Sequence, residues 1–515
     1  MVHGAVSQSA WRGLLPATLL AALLGGCAST PPPPAVASPH VEAQHLVQRS
    51  LNDPGLHQFL ALQTGAPRAA DRPWNATDLG LAALYFRPTL RLHRAEVALA
   101  EADLQTARQL PNPSLDLGLK YGAADVLAAP SPWTVGAAIG LLLVSHAQRH
   151  TQTAQAEAGV RAARLLLRNA GWTVCSAVRR AFVQRWAARR QAQLQTQVLD
   201  TALALQGRIA ARAQAGWDAP LAAAQAQEAA QRAALQLAAD RGAVQQAQTA
   251  LAAAVGLPVA ALQTVALDDT RLDTPAPQLG AARLAHLRQA ALTHRFDVRA
   301  AWQRVQVARA GLQLAQTQRD GGPPRLAPGG ERDQGVNRLT LAARVPLPLF
   351  NQHQGQIAAA QARLARAQAT LEQVQARALA TIDQAEAALR SAQQRHAEAV
   401  QLRDADAALL QADRLAQHRG LLGSVTVLRA RLRALASAQV AQQTAAAQWL
   451  ALDSLQTALQ HALARPTRSD TTAPAAPQPS PLSPRPDRRS RLASVAWQVP
   501  LDARPATLSQ RRPTP

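Results

Sequence analysis

The chain alternates between long runs of helical spacing and short stretches of strict period-two alternation. Leu115, Leu117, Leu119 and Tyr121 alternate with Ser114, Asp116, Gly118 and Lys120, and Trp133, Val135, Ala137, Ile139 and Leu141 follow in the same rhythm. A later alternation runs through Leu339, Leu341, Ala343, Val345 and Leu347. Such spacing predicts strands with one apolar face. The strand expected between Arg325 and Val336 is poor, because Pro328, Gly329 and Gly330 interrupt it.

The helical runs are unusually long. After Pro348 no proline occurs until Pro466, and only Gly355, Gly420 and Gly423 fall between. A helix from Gln356 to Arg419 would extend roughly 95 Å at ~1.5 Å per residue, far beyond a globular helix. Along it Ile357, Leu364, Leu371 and Ala378 recur in sevens, with Ala360, Ala367 and Val374 three places after the first three, and the phase then slips to Ile382 and Leu389. This is coiled-coil spacing, and it predicts a hairpin whose return arm begins near Ser424. An earlier arm from His150 to Gln214 breaks at Ala215-Gly216-Trp217-Asp218-Ala219-Pro220 and returns to Val255-Gly256-Leu257-Pro258. A reversal between long helices suits glycine, which takes positive φ without steric cost.

The pattern occurs twice. Leu90 to Ala100 returns as Val298 to Ala308, and each copy leads through a Pro-marked break into alternation and then a long helix. The chain is therefore expected to divide into residues 1–26, a lipoprotein signal; 27–75, an anchor and linker; 76–275 and 276–464, two repeats of helix, two strands and long hairpin; and 465–515, a disordered Pro- and Arg-rich tail. Residues 40–75 carry no firm pattern. The expected fold is mainly α with a small β part: duplicated coiled-coil hairpins and four strands per chain. Four strands cannot close a membrane barrel, which needs at least ~8, so any barrel must be shared among several chains.

Composition supports this picture. Only 3% of residues are aromatic, and Ala and Leu supply most of the apolar fraction, as suits helices packed through small side chains. The net charge of +22 invites a polyanionic partner, but Lys120 is the only lysine, and most arginines sit singly along helical faces beside Gln, Glu and Asp. A sequence-wide preference for arginine explains the balance, and no nucleic-acid partner is expected.

At the N-terminus Arg12 precedes an apolar run from Leu14 to Leu24 and then Gly25-Gly26-Cys27. The run is too short to span a bilayer, which takes ~20 residues, and suits a secretory signal. Leu24-Gly25-Gly26-Cys27 resembles a bacterial lipobox, with Cys27 the acylated residue, and Ser29 in place of Asp gives no inner-membrane retention signal. Only Cys175 then remains, so no disulfide framework is expected. No Ser-His-Asp, phosphate-loop or dinucleotide motif stands in a workable setting, so no enzyme and no cofactor are expected. His146 and His150 share a helical face but lack a third ligand, so no metal site is assigned.

The order of these elements resembles the TolC-like outer membrane efflux family. The resemblance is carried by Leu110-Pro111-Asn112-Pro113-Ser114-Leu115, Arg179-Arg180-Ala181-Phe182, Ala215-Gly216, Ala254-Val255-Gly256-Leu257-Pro258, Asp297-Val298-Arg299-Ala300 and Val345-Pro346-Leu347-Pro348-Leu349-Phe350-Asn351-Gln352 with Gln354-Gly355-Gln356-Ile357-Ala358, across residues 76–460. Pro132-Trp133, Gly171-Trp172-Thr173-Val174 and the run from Glu331 to Asn337 are similar to the heavy-metal-efflux, CzcC-like branch. The resemblance implies a homotrimer sharing a twelve-stranded outer-membrane barrel above an α-helical periplasmic tunnel. It also implies hairpin tips, Gly216-Trp217-Asp218 and Gly420-Leu421-Leu422-Gly423-Ser424, that face a periplasmic adaptor and an inner-membrane pump of the resistance-nodulation-division type. Two departures stand out. Thr426 and Arg429 occupy the entrance positions where multidrug members carry acidic residues, and Ala219 and Gly423 replace a small hydroxyl after each tip glycine. Cargo is open between metal cations, other small solutes and polypeptides, and a non-conducting envelope-spanning lipoprotein is the alternative.

Overall fold

The structure is a computed structural model that describes residues 38–462 except 70, 123–131, 320 and 334–335. The predicted signal, Cys27, the Pro31–Pro34 tether and the tail from residue 465 lie outside the described residues.

Residues up to Arg49 form one unit, whose described part is helix α1 (Pro39–Val47), begun by Ser38 accepting from the Val41 amide. The second unit starts at Ser50. Its first helices are α2 (Pro54–Thr64), α3 (Ala76–Phe86) and α4 (Pro88–Arg108), and two of them start on a side-chain cap: Asp53 accepts from Leu56 N, and Asn75 from Thr77 N and Asp78 N. Strands β1 (Ser114–Tyr121) and β2 (Trp133–Leu142) follow, then α5 (His146–Gln214), α6 (Pro220–Val255) and the short α7 (Val259–Gln263). The same order recurs with α8 (Ala281–His294), α9 (Phe296–Thr317), β3 (Arg325–Asp333), β4 (Val336–Arg344), α10 (Gln354–His418) and α11 (Ser424–Leu459).

At 69 and 65 residues, α5 and α10 are rods of roughly 100 Å. Each is accompanied by shorter helices: α5 packs against α4, α6, α9 and α11, and α10 against α9 and α11. In α10 the buried positions Ala378, Ile382, Ala385, Leu389, Ala392 and Ala399 step by three and four, the seam of a coiled-coil hairpin with α11. Ile357, Leu364 and Leu371 are only half-buried, because α10 there has α9 and not α11 beside it.

A belt of irregular chain crosses the rods at mid-height. Trp74 forms a parallel bridge with Leu267, donating its amide to Ala266 O (2.8 Å) and accepting from Asp268 N (2.9 Å). The following turn clasps α5 and α11. Asp269 accepts from Arg189 (3.0 Å), Asp273 from Trp186 Nε1 (3.0 Å) and Arg190, and Leu272 O from Trp449 Nε1 (3.2 Å). The largest core cluster lies alongside, where Leu51, Leu56 and Leu79 pack with Val178, Phe182 and Leu251. Leu51, Leu56, Leu60 and Trp74, in a stretch unassigned by sequence, thus serve as packing against α5. Cys175 is buried there, with Sγ 3.8 Å from Gly80 O, and burial pushes its thiol up to about 11, so it packs as an inert thiol.

The four strands form one antiparallel sheet in the order β1-β2-β3-β4. The interrupted stretch at 325–333 is a full strand, the fourth of those expected per chain, although its own pattern is poor. Pro328 still leaves its mark: the β3–β4 register is continuous, whereas β2–β3 pairing skips from Ala138↔Gly329 to Leu141↔Leu326. Gly329 is needed for the close approach, since a Cβ there would sit 2.7 Å from Ala137 O. Conversely, β4 ends at Arg344, so Val345 and Leu347 lie outside it.

Candidate channel surfaces and periplasmic tips

The register sorts the sheet into two faces. On one, Leu117 sits opposite Ala137, Leu119 opposite Val135 and Tyr121 opposite Trp133, with ring centroids 4.8 Å apart; Leu339 and Leu341 continue the face on β4. On the other lie Asp116, Lys120, Thr134, Glu331, Asp333, Arg338 and Arg344. Thr134 donates to Asp333 (2.6 Å), which also pairs with Arg338 (2.9 Å). Nothing among the described residues covers the apolar face: Leu339 is 96% and Leu341 74% exposed. β1 and β4 each have an unpaired edge among the described residues. A sheet with one mainly apolar face, broken by Arg332 and Asn337 in line with Val135, one polar face and two open edges meets the requirements of a barrel segment, but not of a closed barrel. Among the described residues no helix is long and apolar enough to cross a membrane.

At the far ends of the rods the two hairpin turns share one geometry. Gly216 and Gly420 take φ of 78° and 72°. Trp217 N donates to Arg212 O (2.8 Å) and Leu421 N to Ala416 O (2.9 Å), the six-to-one bond that closes a helix on a left-handed glycine. Asp218 is held by Arg212 (2.8 Å), whose guanidinium that carboxylate pushes above its usual value. Trp217 and Leu421 remain 77% and 73% exposed, Leu422 and Ser424 are half-buried, and Gly423, Thr426 and Arg429 are exposed. Ala219 and Gly423 fall at the caps of α6 and α11 and give no side-chain cap bond. His146 and His150 open onto a shallow recess with Gln313, Gln316 and Thr317, and no group of His, Cys, Asp or Glu suited to a metal ion occurs among the described residues.

The architecture is a four-stranded sheet set on duplicated rod hairpins. Residues 81–257 match the family model described as outer membrane efflux protein. The chain shares its fold with the transmembrane channel protein CusC (18% identity, 75% of this chain and 92% of that one, TM-score 0.61). It shares it equally with the outer membrane protein VceC of Vibrio cholerae (17%, 75% and 96%, 0.60) and the outer membrane channel MtrE of Neisseria gonorrhoeae (17%, 75% and 89%, 0.60). No curated protein matches the sequence.

Sequence reasoning found the strands and the tips. It missed the belt clasps made by Asp269 and Asp273, and the arginines that join the hairpins to the next helix, described below.

Proposed function

We infer that the protein is the outer-membrane channel of a tripartite efflux system, passively conducting small solutes delivered by an inner-membrane pump. The observation that carries this reading is the sheet with an uncovered apolar face, a charged opposite face and two free edges, set on rods long enough to cross a periplasmic gap. Three copies would supply twelve strands and satisfy every free edge. Cys27 would be the lipid anchor of a mature chain carrying two repeats, 76–275 and 276–464, followed by the tail. The tips, with Trp217 and Leu421 turned to solvent, would meet the periplasmic adaptor. The likeness of a few segments to the heavy-metal branch makes metal export one candidate cargo.

The test is the mass of the detergent-extracted, acylated protein together with its single-channel conductance in planar bilayers. Trimers with discrete conductance steps support the duct. A monomer without conductance overturns it in favour of an envelope-spacing lipoprotein.

A further inference from the structure

The tip end of the hairpins is strongly basic. Some arginines of the long helices meet carboxylates, as in Arg232–Glu228, Arg390–Glu386 and Arg108–Glu157. Around the tips, residues 207–225 and 413–433 hold seven arginines against two carboxylates, Asp218 and Asp413. Asp218 is taken up by Arg212. Asp413 is half-buried and follows Ala392 and Ala399 in sevens, which puts it in the α10/α11 seam and not on an open face. Arg429 and Arg433 are exposed and make no ion pair or side-chain hydrogen bond with any described residue.

Their placement on α11 gives the imbalance a direction. Thr426, Arg429, Arg433, Ala436, Val440 and Gln443 step by three and four and are all exposed, forming one bare stripe. The belt lies on the other side of the helix. Trp449 donates to Leu272 O, and Leu452 is buried in one cluster with Ala276. Counting back in sevens from Leu452 leads to Arg431, so Arg431 belongs to the belt side and Arg429 and Arg433 to the bare side. When copies close into a tube, the belt must lie outside, since one belt per copy inside would plug the bore. The bare stripe then faces the lumen.

Resting on the channel reading above, the geometry points to Arg429 and Arg433 as a selectivity ring at the periplasmic mouth, which admits small anions and repels free cations. Each copy contributes two guanidiniums, and rings of arginine are the general means by which pores favour anions. Charge focused in a narrow low-dielectric mouth raises the local concentration of counter-ions and lowers that of co-ions. Thr426, a neutral hydroxyl on the same stripe, offers no opposing charge. The cargo class is thus anionic solutes, including metals only where a ligand has made the complex negative.

The experiment is the reversal potential of single channels of the full-length acylated protein across a potassium chloride gradient. The expected chloride-to-potassium permeability ratio is above about 3, falling to about 1 or below in the Arg429→Glu, Arg433→Glu double variant. Arg431→Glu changes the net charge on the belt side of the same helix and is expected to leave the ratio within about twofold of the parent. Should the double glutamate variant fail to assemble, Arg429→Gln with Arg433→Gln provides the same comparison without introducing repulsive carboxylates. Open channels that prefer potassium, or a ratio that Arg431→Glu shifts as much as the double variant does, overturn the ring while leaving the duct intact. Absence of any conductance overturns both.

Discussion

Arg87 and Arg295 stand at equivalent positions of the two similar stretches and make the same contact. Each donates to a carbonyl at the end of a returning helix, Arg87 to Ala253 O (2.7 Å) and Arg295 to Ala458 O. Each is also the residue from which the next helix starts, α4 and α9 respectively. The free carbonyls at the end of α6 and α11 are thereby satisfied by a cation favoured at a helix C-terminus, and two helices abut as one column beside the rod. Gly256, with φ of 88°, lets α6 stop against Phe86 and Arg87, while Gln460 accepts from Phe296 N (2.7 Å) at the second junction. Arg295 is further fixed by Asp297 at 2.7 Å. Replacing Arg295 by Ala should cost about 2 kcal/mol, the scale of a lost charged hydrogen bond, read as a lower midpoint in denaturant unfolding. Lysine, a point charge that cannot span the carbonyl and Asp297 together, should recover only part of it.

The two faces of β4 should respond oppositely to the same charge. Leu341, opposite Pro328, lies on the uncovered apolar face, and Thr340, opposite Gly329, on the charged one. Leu341→Arg is expected to cost about 2–4 kcal/mol if the face meets lipid, and Thr340→Arg well under 1. The yield of assembled protein in outer-membrane fractions distinguishes them. Equal loss for both would mean that the apolar face is not turned to lipid.

Local spacing explains what could be seen in the sequence. The strands β1, β2 and β4, the tip glycines and the arm ends follow from alternation, from glycine and from the absence of proline, all of which act within a few residues. The seam of α10 was visible at Ile382 and Leu389, but the heptads before it overstated burial, because the seam needs α11 alongside and α11 reaches only part of the rod. β3 gave only a poor pattern because its Pro328 and Gly329 answer to the neighbouring strand, where a skipped ladder position and a close approach make them tolerable. The belt contacts, such as Asp269 with Arg189 and Trp449 with Leu272, join segments far apart in sequence and leave no period to detect.

The tips offer a test of backbone geometry that does not depend on any partner. Gly216 and Gly420 hold positive φ, so valine at either should cost about 1–2 kcal/mol through its Cβ alone. Ala219 has an extended conformation at the cap of α6 and no side-chain cap bond, and Ala222 N already donates to Ala219 O (2.9 Å), so Ala219→Ser should add about 0.5–1 kcal/mol by accepting from the Leu221 amide. Thermal unfolding of the three variants would show two losses and one gain. A destabilised Ala219→Ser would mean that the cap amides are already satisfied.

His396 gives the hairpin a dependence on pH whose sign is fixed by its surroundings. It continues the buried positions Ala385, Leu389 and Ala392 toward Ala399, and its Nδ1 lies 3.2 Å from Thr444 Oγ1 on α11. Burial lowers its pKa below the ordinary 6.5, opposed in part by the Ala441 carbonyl and assisted by Arg403. The unfolded chain therefore binds the proton more readily than the folded one. Stability is complete above pH 6.5 and declines as the pH falls from there toward the lower folded value, below which no further loss accrues from this group. His461, also lowered by burial, adds a change of the same sign, so the wild-type slope alone does not isolate His396. The difference between wild type and His396→Gln does. Hydrogen exchange of the α10 and α11 amides at pH 7.5 and 5.0 should show acid-induced loosening in the wild type and less of it in the variant. An equal response in both would remove His396 as its source.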